Sequence, residues 1–153
     1  MDVKQLLKLL KDHKTSFVVI GATAGMAHGY SRLTKDLDIF IEPTKENVQK
    51  VFKALEKFGY DLQGTSVEEA LKRKLLFREY IFELDIHPFV KGTDFEQIWE
   101  KKVLYRFEGE EVYFASLEDL IQMKEAAGRP KDQEDLRHLR EIKRQTEKTN
   151  KIK

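Results

Sequence analysis

The sequence predicts an α/β (α+β) domain: a mixed β-sheet flanked by helices, with further helices closing the C-terminal end. Three observations carry this. Short apolar runs of strand length recur between segments whose apolar residues fall at helical spacing. The composition is that of a globular chain, 41% hydrophobic and 36% charged over 153 residues. Finally, a serine followed three residues on by an acid marks helix starts at Ser66–Glu69 and Ser116–Asp119, the pattern of a capping box. A chain of this size can bury one core of its own. Residues 1–153 therefore read as a single domain, with a core over about 16–115, C-terminal helices over about 116–146 and a frayed tail over 147–153.

The elements follow in order. Val3, Leu6, Leu7 and Leu10 define one face of an N-terminal helix. Phe17–Ile20 is an apolar run ending at Gly21, which reads as a buried strand, and the small residues from Ala22 to His28 suit a helix. Asp36 to Ile41 alternates as a strand, and Pro43 ends it. Thr44 opens a helix with Val48, Val51, Phe52 and Leu55 on one face, and Gly59 stops it. A short helix from Ser66 to Arg73 precedes "LLFREYIFELDIHPF", read as one or two strands. "DFEQIWEKK" is a short helix, and "VLYRFEGEEVYFA" a hairpin turning near Glu108-Gly109. "LEDLIQMKEAAG" is a helix broken by Gly128 and Pro130, and a last charged helix runs from about Lys131 toward Arg144.

Composition excludes several function classes. There are 28 basic and 27 acidic side chains, a formal net charge of +1, so nothing global draws the chain to nucleic acid or membrane. Without cysteine there is no disulfide framework and no thiolate chemistry. The first residues, "MDVKQLLKLLKDHK", are amphipathic and charged rather than a secretion signal. No apolar run approaches the roughly 20 residues of a membrane span. The expectation is a cytoplasmic protein with no membrane partner.

The chemistry-bearing residues begin with Asp36 and Asp38. Two apart on a strand, they share a face, while Leu37, Ile39 and Ile41 turn to the core. Adjacent carboxylates raise one another's pKa unless a cation sits between them, and hard oxygen donors at this spacing suit Mg²⁺. By itself a D-x-D pair is equally a turn-former or a solvated edge. Asp85 is a third acid, on a strand where Phe82, Leu84 and Ile86 share one face and Glu83, Asp85 and His87 the other. If its strand lies beside that of Asp38, three aspartates converge, as a two-metal phosphoryl-transfer site requires. Glu83 and His87 read as water-facing or outer groups. Gly21 permits close backbone approach, and the strand–Gly–helix order aims free N–H groups at an anion.

These residues resemble a known family. "VIGATAGMAHGYSRLTKDLDIFI" with the distant "ELDIHPF" is similar to the polymerase-β-like nucleotidyltransferase superfamily. The resemblance is to its small prokaryotic branch, which includes the toxins of abortive-infection toxin–antitoxin systems. The branch pattern HG-x-x-R-x-T-x-D-x-D is matched by His28, Gly29, Arg32, Thr34, Asp36 and Asp38. "LEDLIQMKEAAGRPKDQEDLRHL" resembles its lysine-bearing helix and following GR-x-K-D-x-x-D segment. The resemblance implies that Asp36, Asp38 and Asp85 are catalytic and hold two Mg²⁺ ions, with Mn²⁺ as the alternative. It implies that Gly21 with the amides of Ala22 and Thr23, together with Arg32 and Lys124, binds the nucleotide. The second turn position, Gly or Ser in the family, is Ala22 here, which sets a methyl where phosphate approaches.

The leading expectation is an Mg²⁺-dependent, NTP-binding (for example ATP-binding) nucleotidyltransferase that moves a nucleoside monophosphate onto a hydroxyl and releases pyrophosphate. The acceptor is open among an RNA 3′ end, a protein side chain and a small molecule. Lys72, Arg73 and Lys74, or the tail from Lys143, are the candidate basic patches for RNA. The alternative, favoured by Ala22, is a catalytically silent module working with a protein partner such as an antitoxin. A metal-dependent hydrolase would use the same acids but leaves the glycine turn unexplained.

Overall fold

The computed structural model describes residues 2–30, 36–78 and 82–152. In chain order the elements are α1 (Val3–Asp12), β1 (Phe17–Ile20), α2 (Gly21–Ala24), β2 (Asp36–Ile41), α3 (Lys45–Phe58), α4 (Val67–Lys72), β3 (Leu75–Phe77) and β4 (Glu83–His87). They continue as α5 (Phe95–Lys101), β5 (Val103–Phe107), β6 (Glu110–Phe114), α6 (Leu117–Ala127) and α7 (Gln133–Ile152). Short 3₁₀ turns follow α2 (Gly25–His28) and precede α7 (Pro130–Asp132).

Six strands form one mixed sheet in the order β3-β4-β2-β1-β6-β5. β1 runs antiparallel to β2 and parallel to β6, and β2 runs parallel to β4. The two hairpins, β3-β4 and β5-β6, make the outer pairs. The expected turn at Glu108-Gly109 is present, with both residues at positive φ (52° and 84°). That conformation matches the right-handed twist of the flanking strands and favours glycine at the second position.

Local chemistry accounts for the helix ends. The Thr44 hydroxyl accepts from the Asn47 amide (3.2 Å), and Gly59 closes α3 in the left-handed region. Ser66 and Ser116 accept from the amides of Glu69 and Asp119, both at 3.1 Å. α7 runs further than the expected helical limit of about 146: it continues through Thr149 to Ile152, across most of the stretch 147–153 read as a tail. Charged and polar residues at i,i+4 spacing favour the continuation, as with Gln145 donating to Glu141 at 3.0 Å.

One face of the sheet is apolar throughout. Val19, Leu37, Ile39, Ile41, Leu84 and Ile86 join Leu6, Leu7 and Leu10 of α1 and Val48, Val51 and Leu55 of α3 in the buried core. α1 and α3 lie side by side. Asn47 secures the ends of β1 and β2: its side chain accepts from the Ser16 amide (2.8 Å) and donates to the Ser16 and Glu42 carbonyls (3.0 Å each). The other face changes character along β2. Phe40 is fully buried and meets Phe95 of α5 edge-on at 5.4 Å, while Asp36 and Asp38, on the same side, stay half-buried at the mouth.

Candidate active site

The parallel pairing of β2 with β4 sets Asp38 opposite Asp85, Asp36 opposite Glu83 and Phe40 opposite His87. The two strands come from distant parts of the chain, and their register brings the three sequence-predicted aspartates to one sheet face. Asp85 is buried, with a side chain only 9% exposed. A carboxylate so placed must be paired, and the Arg78 guanidinium supplies the partner. Its Nη1 contacts Asp85 Oδ1, its Nη2 donates to Oδ2 at 3.3 Å, and Glu83 lies 3.7 Å away. The hydrogen bond to Asp85 raises the Arg78 pKa further above its ordinary value.

The acids crowd one another. A hydrogen bond with Asp36 pushes the Glu83 carboxyl above its usual pKa; burial and the Asp36 charge add to this, and Arg78 opposes it. Carboxylates crowded together in this way mark a place where a cation is favoured. His87, which the sequence places among water-facing or outer groups, stands behind Asp38 as an outer group and not in water. Its Nε2 donates to Asp38 Oδ1 at 2.9 Å, and Asp38, Asp85 and His87 each offer a donor atom within 4.8 Å of the others.

Beside this cluster, β1 ends at Gly21, whose φ of +73° lies in the left-handed region. A Cβ built there would come 2.5 Å from Asp38 Oδ2 and 3.0 Å from its Cγ. Glycine is thus required twice, by conformation and by the approach of the aspartate. Ile20 gives α2 no side-chain cap, so the first amides, of Gly21, Ala22 and Thr23, have no side-chain acceptor at the N-cap. The buried Thr23 donates its hydroxyl to the Asp36 carbonyl (3.2 Å), which fixes α2 against the start of β2.

The motif's other positions divide. Arg32 and Thr34 lie outside the described residues. His28 donates from Nε2 to the Ala115 carbonyl at 2.8 Å, joining the 3₁₀ turn to the approach to α6. Gly29 ends that turn at φ +91°. The Tyr30 hydroxyl donates to Asp135 Oδ1 at 2.7 Å, and its ring stacks on His138 of α7 at 5.0 Å. Lys124 is not a solvated surface lysine: its side chain is 13% exposed, with Nζ 3.1 Å from Asp135 and 3.5 Å from Asp132. Arg129 completes the group on Asp132 at 2.7 Å. Burial alone would raise the Asp132 carboxyl; Arg129 and Lys124 outweigh it and hold the group below its usual value. The C-terminal segment that resembles the family is thus an ion-pair network clamped to the Tyr30 end of the glycine turn.

Within the candidate RNA patches, Arg73 pairs with Glu69 at 3.0 Å, and Arg144 in the C-terminal stretch pairs with Glu141. The sequence signal for Glu83 and His87 was present, since both share the face of Asp85 by alternation. Arg78 left no such signal, because its role depends on how β3 and β4 are joined.

The residues present fit a divalent cation. Four acidic side chains meet beside one guanidinium and one imidazole, the crowding raises the Glu83 carboxyl, and the cradle at Gly21 admits no Cβ.

Comparison with known proteins agrees with this geometry. No curated protein matches significantly. Among solved structures, the lincosamide antibiotic adenylyltransferase LnuA, bound to lincomycin, superposes with a TM-score of 0.64 at 19% identity. The match covers 93% of this chain and 98% of that one. A putative nucleotidyltransferase from Thermotoga maritima superposes at 0.62 with 18% identity, covering 89% of this chain and 88% of its own. At such identities the likeness is one of fold. A family model, "Nucleotidyl transferase of unknown function (DUF2204)", matches residues 1–153, and the chain belongs to that nucleotidyltransferase family.

Proposed function

We propose that the protein transfers a nucleoside monophosphate from an NTP to an acceptor hydroxyl, with pyrophosphate as the leaving group, and that it depends on a divalent cation. The observation that carries this reading is the register of Asp38 against Asp85 directly beside the Gly21 turn. Carboxylates and an uncapped helix start stand next to each other, as a metal-bound triphosphate needs. Asp36, Asp38 and Asp85 would hold the cation, which when bound neutralises charge on the phosphates and lowers the pKa of an oxygen bound to it. The amides of Gly21, Ala22 and Thr23 would orient the triphosphate, and Arg32 would contribute to its binding. Lys124 acts from behind, through Asp135 and Tyr30, on the position of that turn. Asp85, set deepest, would accept hydrogen bonds at the attacking side. Buried Phe40 and Phe95 close the far end of the face to water.

In the same reading the acceptor is a nucleic-acid end, a protein hydroxyl or a small molecule, and a partner protein or antitoxin would wall the cleft. Among the described residues no helix is long and apolar enough to cross a membrane. Ala22 favours a second reading, a silent nucleotidyltransferase fold that binds a partner.

Calorimetric titration of each NTP, with Mg²⁺ or Mn²⁺, into wild type and an Asp36→Ala/Asp38→Ala variant separates the two. Metal-dependent NTP binding that the variant loses is the expected result. Wild-type protein that binds no NTP with either ion would overturn the donor site and leave the silent module.

A further inference from the structure

We propose that His87 is a metal ligand, and that Asp38, Asp85 and His87 form a mixed nitrogen–oxygen site selective for a transition ion such as Mn²⁺ or Co²⁺ over Mg²⁺. The proposal deepens the nucleotidyltransferase reading by naming its ion, but the site can be examined with metal alone.

The geometry comes from one pleated strand. Residues two apart on β4 project to the same face, so Asp85 and His87 stand as neighbours, and the parallel register brings Asp38 alongside. All three donor atoms lie within 4.8 Å of one another. Donors about 2.1 Å from a shared ion stand at most about 4.2 Å apart, so only small side-chain adjustments separate this arrangement from a closed site. The side chains are pre-positioned, His87 being 16% and Asp38 21% exposed.

His87 now spends its Nε2–H on Asp38 Oδ1. On metal binding that proton passes to Nδ1, Nε2 presents its lone pair, and Asp38 is freed to bind the same ion. Gly21 fixes the other side of Asp38, since its missing Cβ leaves the space that Oδ2 occupies. Arg78 holds Asp85 from the β3 side, and Asp85 has lone pairs to serve both guanidinium and ion.

The nitrogen donor sets the preference. Mg²⁺ is bound by oxygen and keeps its waters, whereas imidazole suits the later first-row ions, and affinity rises across that row. Three protein donors leave coordination positions open for phosphate oxygens.

The test uses the full-length protein without nucleotide. Mn²⁺ binding is followed by electron paramagnetic resonance, with Mg²⁺ and Co²⁺ as competitors, in wild type and His87→Gln. Wild type should bind Mn²⁺ and Co²⁺ at least about tenfold tighter than Mg²⁺ and show imidazole-nitrogen coupling to bound Mn²⁺. His87→Gln should lose the coupling and most of the preference while Mg²⁺ affinity changes little. A His87 that only orients Asp38 also lowers affinity when replaced, by about 10–100-fold, but it lowers Mg²⁺ and Mn²⁺ binding together. Bound Mn²⁺ without nitrogen coupling in wild type, or an unchanged preference in His87→Gln, would overturn the proposal. Either outcome leaves the nucleotide titrations to judge the donor site separately. His87→Gln must keep the wild-type melting temperature within a few degrees; His87→Asn is the second variant if it does not.

Discussion

Gly21 is the residue on which the candidate site turns most sharply. Alanine there meets the Asp38 carboxylate at 2.5 Å in a backbone conformation that favours glycine. Gly21→Ala should therefore cost roughly 1–2 kcal/mol in backbone strain alone and displace Asp38. Thermal melts should show the lower stability, and Mn²⁺ titration the weakened binding. Asp36→Asn is its counterpart. Removing one charge relieves the crowding that raises Glu83, so the melting temperature in metal-free buffer should hold or rise. Nucleotidyl transfer should fall by at least about a hundredfold. A variant that transfers at the wild-type rate would remove Asp36 from the metal-binding set. Arg78 shows what residue-level reading misses: nothing in its local sequence announces that it neutralises a buried aspartate seven positions on.

Among the elements, the C-terminal pair combines a charged clamp with an apolar face. α6 and the start of α7 meet through Lys124, Arg129, Asp132 and Asp135, while Leu120, Ile121 and Met123 of α6 and Leu136 and Leu139 of α7 are buried in the core. Because the folded-state pKa of Asp132 is depressed, its contribution to stability is complete above its unfolded value of about 3.8. It is lost as pH falls through the lower folded value. Acid titration of the melting temperature should show this loss below about pH 4. Asp132→Asn should flatten that acid limb while lowering stability at neutral pH, where Arg129 loses its partner and Lys124 keeps only Asp135; an unchanged limb would assign it to other carboxylates. Helix starts were legible here from Ser66 and Ser116, whose hydroxyls accept the amides expected of them. The end of α7 was not, because polar side chains carry the same composition whether they decorate a helix or a frayed tail.

At the scale of the whole molecule, the glycine turn and the C-terminal helices are one mechanical unit. Tyr30 donates to the buried Asp135 and His28 to the Ala115 carbonyl, contacts that span 105 and 87 positions of sequence. Tyr30→Phe should destabilise the fold by about 1–3 kcal/mol, since a buried carboxylate loses a donor. It should also weaken NTP binding more than metal binding, because the turn shifts while the β2-β4 register stays; equal losses would place Tyr30 outside the turn's support. The sequence alone determined most of the strands, the capped helix starts, the apolar face of the sheet and which acids share a strand face. Each of these follows from periodicity or capping within a few residues; that β3 and β4 are two strands was left open. Tertiary structure alone decided that Asp85 stands opposite Asp38, that Arg78 pairs with it and that His87 turns toward the acids. It likewise decided that Lys124 is buried among aspartates of α7 and its preceding turn. Those outcomes depend on strand register and helix docking between distant segments, and no local pattern encodes which partner a strand will choose.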